Sequence, residues 1–317
     1  MNRLPLIIIL GPTAVGKTEL SLQFAKEIEA EIISADSMQI YRKMNIGTAK
    51  VSRKIRKKIP HHLINIISPE EEFSVANYKK RVDKLIPSIH SNNKYPLMVG
   101  GTGLYIKSVV EGFLLPEMEK NTDLRKKLRN EANKHGNKYV HNKLKKIDPD
   151  LAEKLHPNDL RRVIRGIEIY RQTGKTKTYY IKKQQNEPEN YNTLKIGLTR
   201  NREKLYNRIN QRTDKMIDNG LLKEVKYLLK NYSLSKTARQ ALGYKEIINY
   251  LQEKYSLEKA INEIKKGTRH LAKKQLTWFK RDKNINWINL SKTKKSQALS
   301  EILQLFSEKY NTSSLNN

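Results

Sequence analysis

Five apolar residues in a row, Leu6-Ile7-Ile8-Ile9-Leu10, begin the hydrophobic pattern, and a short continuous run bounded by glycine reads as a strand buried on both faces. A glycine-containing loop follows, then helical spacing predicts a helix over 17–29, and 31–35 return to a strand pattern. Residues 96–99 (Pro-Leu-Met-Val) predict another buried strand, closed by Gly100-Gly101-Thr102-Gly103. From about 122 to 183 strand patterns are scarce and apolar residues recur three and four apart, as at Leu124/Leu128 and Ile164/Ile167/Tyr170. The stretch 184–192, with Pro188, predicts a surface loop. Residues 194–199 resume as a strand, and helices are expected from there to about 282. Strands alternating with helices imply an α/β fold with a parallel sheet. Residues 1–116 and 193–317 would form that core, interrupted by a mostly helical insertion at 117–192.

Charge changes this picture from a bare fold to a fold with a polyanionic partner. The 317 residues include 63 Lys and Arg against 32 Asp and Glu, a net charge of +31. AT-rich coding raises lysine too, but would spread the excess evenly. Instead residues 1–50 hold six basic and five acidic side chains, while 121–183 hold eighteen and seven. Residues 265–283 hold eight Lys or Arg against Asp282 alone. Basic clusters of this kind point to nucleic acid. The absence of cysteine excludes disulfides, cysteine-based zinc sites, iron–sulfur clusters and thiol nucleophiles. No apolar run approaches ~18 residues, so no membrane span is expected. The immediate entry into Leu6–Leu10 leaves no room for a cleavable leader, and a cytoplasmic location is expected.

The strongest chemical signal is Gly11-Pro12-Thr13-Ala14-Val15-Gly16-Lys17-Thr18, a complete G-x-x-x-x-G-K-[ST] between a strand and a helix. Glycines let backbone N–H groups close around phosphate oxygens, and the helix N-terminus adds positive potential. Lys17 supplies a full charge, and the Thr18 hydroxyl can ligate Mg²⁺. A P-loop core for a di- or triphosphate follows. The strand 96–99 ends in glycines rather than in the aspartate a nucleoside triphosphatase uses. The acid stands instead at Asp36, within Ser34-Ala35-Asp36-Ser37-Met38-Gln39, at the end of the strand 31–35. A carboxylate there can be a general base or can cap the following turn, and the residues alone leave both open. His61-His62 lacks a third ligand nearby and reads as packed or hydrogen-bonded rather than metal-binding.

Several blocks in order resemble the bacterial tRNA dimethylallyltransferases. They are Gly11–Thr18, Ser34–Tyr41, Asn45–Lys50, Pro60–Leu63, Phe73–Ala76, Gly100–Tyr105, Asn158–Glu168, Gln240–Glu246 and Gln275–Phe279. The resemblance spans residues 6 to about 288, with one departure at Asn65, where members often carry Asp. It implies transfer of a dimethylallyl group from dimethylallyl diphosphate to N6 of the adenosine just 3′ of the anticodon, with Mg²⁺ as cofactor. It implies Asp36, Thr102 and Lys17 as catalytic residues, and Arg165 and Arg212 as diphosphate partners beside the loop Gly11–Thr18. For the anticodon stem-loop it implies Asp36, Ser37, Met38, Gln39, Thr102, Arg161, Arg162, Val163, Ile164 and Arg165. Further along the chain it adds Arg239, Gln240, Ala241, Leu242, Gly243, Tyr244, Lys273, Lys274 and Gln275. Lys266, Arg269, Lys273 and Lys280 also fall on one helical stripe with Thr277, suited to phosphates. A monomer without membrane association is expected. An ATP-using kinase gives no role to the basic clusters. A transferase acting on free adenine nucleotides does no better, and a non-catalytic RNA binder leaves the phosphate loop and Asp36 unexplained.

Overall fold

A computed structural model of the chain describes residues 3–112, 118–185 and 187–311. It divides into two compact units, one of residues 1–110 with 191–317, the other of 111–190.

The first unit is built on six parallel strands: β1 (Pro5–Leu10), β2 (Ala30–Ala35), β3 (His61–His62), β4 (Tyr95–Gly100), β5 (Asn192–Thr199) and β6 (Asn286–Asn289). Their order is β3-β2-β4-β1-β5-β6. The continuous apolar run of β1 is explained by its place between β4 and β5 with both faces covered. Ile7 and Ile9 pack with Leu20 and Phe24 of the helix Lys17–Glu27, and with Ile302 and Phe306 of the helix Lys295–Tyr310. Leu6, Ile8 and Leu10 point the other way, toward Tyr78, Val82 and Ile86 of the helix Val75–Ser91.

A third apolar cluster joins Ile40, Tyr41 and Met44 to the helices Leu221–Asn231, Tyr244–Leu251 and Leu257–Phe279. It anchors the segment after β2. The structure adds elements that the hydrophobic pattern did not predict. They are the two-residue β3, β6 beyond 282, and the helices Arg53–Lys58, Val75–Ser91, Gly103–Val110 and Lys295–Tyr310. The strand 31–35 begins one residue earlier, and the helix expected over 17–29 ends at Glu27.

The second unit is helical among its described residues, with Leu128, Val140, Leu144, Val163, Ile164 and Ile167 in one core. Inside it Glu168 is fully buried and is forked by Arg125 and by Arg165, each 2.6 Å away. Burial would raise that carboxyl, but the two guanidiniums hold it below its ordinary range.

Candidate active site

Three strands run out in register at one edge of the sheet. Leu10 pairs with Gly100, and Gly100 with Ala35. One residue further, the chain enters the loop at Gly11, the segment at Asp36 and the turn at Gly101. The three stretches marked in the sequence therefore meet at the carboxyl ends of β1, β2 and β4, where open α/β sheets carry their ligands.

The loop is closed by glycine geometry and by cations. Gly16 takes a left-handed φ of 117°, and a Cβ on Gly11 would come within 2.5 Å of the Leu198 carbonyl oxygen. Lys17 Nζ donates to the carbonyls of Gly11 and Pro12, 2.8 Å each. Arg208 Nε donates to Ala14 O at 2.8 Å and Arg200 Nε to Val15 O at 2.7 Å. Basic side chains thus occupy the carbonyl side of the loop, and the N–H groups at the start of the helix Lys17–Glu27 are left for an anion. Burial, then the charge of Arg212, brings the Lys17 amine down to about 7, while Asp36 pulls it the other way. Arg212 lies one helical turn beyond Arg208 on the helix Arg202–Asp218. Burial lowers its guanidinium too, and Asp36 partly offsets this.

Asp36 carries both roles that the sequence left open. Its Oδ1 accepts from Met38 N at 2.8 Å and Gln39 N at 3.4 Å, which caps the turn. Its charge also acts on Lys17 and Arg212, which sets it beside the loop. Thr102 holds the same turn: its N–H donates to Ala35 O at 3.0 Å, and its hydroxyl accepts from Ser37 N at 3.1 Å. Gln39 is fixed by Ser34 Oγ at 3.1 Å and donates to Thr48 O at 3.2 Å.

The rest of that segment is held by an anion. Glu224 accepts from the N–H groups of Asn45, Ile46 and Gly47 at 2.9–3.2 Å, and from Tyr244 Oη at 2.6 Å. Lys50 Nζ donates to Tyr41 O and, at 2.6 Å, to Asn65 Oδ1. Burial brings the Lys50 amine down to about 7, with Glu224 opposing. The residue at 65 therefore serves as a neutral acceptor for a lysine. His61 and His62 are hydrogen-bonded, to Ile59 O at 2.7 Å and Glu31 Oε2 at 2.6 Å.

The residues expected to meet RNA sort by exposure. Arg161 and Arg162 are exposed in the second unit, whereas Val163 and Ile164 are 0% and 3% exposed and belong to its core. Their apolar side chains pay for the fold rather than face a ligand. Arg165 is committed to Glu168 within that unit. In the first unit Arg239 and Gln240 are exposed, Leu242 is half-buried, and Ala241, Gly243 and Tyr244 are buried. Tyr244 acts inward, on Glu224. Lys273 and Lys274 are exposed on the helix Leu257–Phe279, as are Lys266 and Thr277, and Lys280 is exposed just past its end. Arg269 is half-buried with its guanidinium over the Tyr206 ring, 5.7 Å from its centroid.

Arg200, Arg208, Glu224 and Lys50 were not read as site residues. Arg208 alone had a local signal, four residues before Arg212 on the same helical face. Among the described residues no three His, Cys, Asp or Glu side chains gather as a metal site. The exposed Thr18 at the loop's end suits a Mg²⁺ that takes most of its ligands from phosphate and water.

Comparison with known proteins places this geometry. The family model described as IPP transferase matches residues 39–282. A protein named tRNA dimethylallyltransferase from Halothermothrix orenii is 64% identical over 301 residues, 95% of this chain and 92% of its own. The solved tRNA isopentenylpyrophosphate transferase of Bacillus halodurans has a TM-score of 0.71 and 41% identity, covering 96% of each chain. A eukaryotic dimethylallyltransferase, solved acting on tRNA, has a TM-score of 0.79 and 30% identity, covering 95% of this chain and 78% of its own.

Proposed function

The chain belongs to the IPP transferase family, and we propose that the loop and the Asp36 turn together carry its reaction. It transfers a dimethylallyl group to N6 of the tRNA adenosine 3′-adjacent to the anticodon. The donor is dimethylallyl diphosphate, and the acceptor is presented by the anticodon stem-loop of a cytoplasmic tRNA to a single copy of the chain.

The observation that supports this reading best is the register of Leu10, Gly100 and Ala35, which brings the phosphate loop, the Thr102 turn and Asp36 to the same ends of three adjacent strands. An allyl diphosphate breaks its C1–O bond readily when the leaving diphosphate is stabilised. The N–H groups at the start of the helix Lys17–Glu27, the Lys17 ammonium and the Arg212 guanidinium take that charge. Mg²⁺ at Thr18, when bound, supplies further neutralisation of the diphosphate. The adenine amine is a weak nucleophile because its lone pair is delocalised into the ring. As the N6–C1 bond forms, the Asp36 carboxylate takes the N6 proton, and Thr102 keeps its turn in place. The base has to leave its stack to reach this edge of the sheet. Exposed Arg161, Arg162, Arg239, Lys273 and Lys274 suit the phosphates around it.

The test is incubation of the protein with unmodified tRNA, dimethylallyl diphosphate and Mg²⁺, followed by mass spectrometry of the nucleosides. N6-(dimethylallyl)adenosine confined to the position after the anticodon supports the reading. Phosphorylated nucleoside formed in a parallel incubation with ATP in place of the dimethylallyl diphosphate, with no dimethylallyladenosine in the first, would replace it with a kinase.

A further inference from the structure

One side chain spans the two glycine turns. The helix Leu257–Phe279 presents Gln275, whose Oε1 accepts from Thr13 N at 2.9 Å and whose Nε2 donates to Gly101 O at 3.0 Å. The two ends of one planar amide are therefore spent on the diphosphate loop and on the turn before Thr102. The helix lies flush against that turn. A Cβ on Gly101 would stand 2.3 Å from Gln275 Nε2, and one on Gly103 would stand 2.3 Å from Trp278 Cδ1. From Gly101 the connection continues through Thr102, which bonds Ala35 O and Ser37 N on either side of Asp36.

The geometry points to Gln275 as a positioning residue for the transfer step, fixing the separation between the diphosphate loop and the turn that holds Asp36. This rests on the function proposed above. A rigid amide with a donor at one end and an acceptor at the other suits the task, because the loop offers an N–H and the turn a carbonyl. No hydrophobic residue of that length could tie both. In-line displacement needs the leaving oxygen, C1 and N6 aligned, so a shift of about 1 Å between the two turns costs on the order of 10²-fold in rate. Gln275 was expected among the tRNA contacts, and its engagement here gives it a different task.

The two roles predict different kinetics. In Gln275→Ala the single-turnover rate at saturating tRNA and dimethylallyl diphosphate should fall about 10²-fold. The dissociation constants for tRNA and for inorganic diphosphate, measured without turnover, should each stay within about threefold of the native values. Gln275→Glu keeps an acceptor for Thr13 N but sets an oxygen against Gly101 O, and should lose rate to a similar extent. Thermal unfolding of both variants shows whether the fold is kept, and the glutamate variant stands in if the alanine variant unfolds. Weakened tRNA binding with a native saturated rate would make Gln275 an RNA contact and overturn the inference. So would a native rate in both variants. Because the two dissociation constants are read without transfer, failure of the wild-type chain to modify tRNA would sink the functional reading separately.

Discussion

The two loops that meet at the sheet edge are stabilised with opposite charges. The diphosphate loop has basic side chains on its carbonyls: Lys17 on Gly11 and Pro12, Arg208 on Ala14, Arg200 on Val15. The segment after β2 has carboxylates on its N–H groups, Asp36 on Met38 and Gln39, Glu224 on Asn45 to Gly47. A loop that binds an anion has to keep N–H groups for the ligand, so apart from Thr13 N, which Gln275 takes, its framework is tied through the carbonyls. A segment with its N–H groups already committed to protein carboxylates has none to give an anion there. Two backbone stretches side by side thus differ in which of their dipoles is already committed to protein.

The comparison breaks most directly at Asp36. Asp36→Asn can still cap the turn, since Asn and Asp are both good caps, but cannot take a proton. Single-turnover formation of N6-(dimethylallyl)adenosine should fall ~10²–10⁴-fold with tRNA binding near native. A rate within a few-fold of native would leave Asp36 a cap and nothing more. On the cationic side, Lys17→Ala removes the central charge on the leaving group, and should slow transfer ~10²–10³-fold. Its tRNA dissociation constant should hardly change, and parallel loss of tRNA affinity would count against separate sites. Glu224→Gln sharpens the contrast, because one of its oxygens becomes an N–H facing N–H donors. Leaving such donors unsatisfied should cost about 1–3 kcal/mol in denaturant unfolding, with diphosphate affinity unaffected.

The last effect is one of pH and concerns Lys50, a basic residue on the carboxylate-bound segment. Its folded amine titrates at about 7 and its unfolded amine near the ordinary 10.5, so folding expels its proton between those values. Stability therefore rises with pH from 7 to about 10.5 and is at its lowest below 7. Denaturant midpoints at pH 6.5, 8 and 9.5, compared with Lys50→Met, should show the native chain gaining on the variant as pH rises. Parallel pH profiles for the two would refute the assignment.

Which of these features the sequence could disclose follows from distance along the chain. The phosphate loop and Asp36 announce themselves because each follows directly on an apolar strand that sets its context. Arg208 reaches Ala14 across 194 positions and is marked locally only by Arg212 one turn on, while Glu224 reaches Asn45 across 179 with nothing local to mark it. Val163, Ile164 and Tyr244 show the converse case. They lie within blocks that resemble a family's RNA contacts, yet their apolar or aromatic side chains face inward. β6 escaped notice because Asn286-Trp287-Ile288-Asn289 is short and half polar, and becomes a strand only by pairing with β5. The helix Val75–Ser91 carries Pro87 within it, which weakens any helical reading from propensity.

The out-of-order sheet also sets a timetable. β1 takes β4 on one side and β5 on the other, and the braces on the loop after it, Arg200 and Arg208, come later still. At the ~5–20 residues per second of protein synthesis, the 194 positions between Ala14 and Arg208 take roughly 10–40 s to make. Until β5 is made, near the end of that interval, the most apolar strand of the chain has at most one neighbour to pair with. A chaperone that holds such strands would find its substrate in the nascent chain before β5 emerges, and release it once the second neighbour arrives.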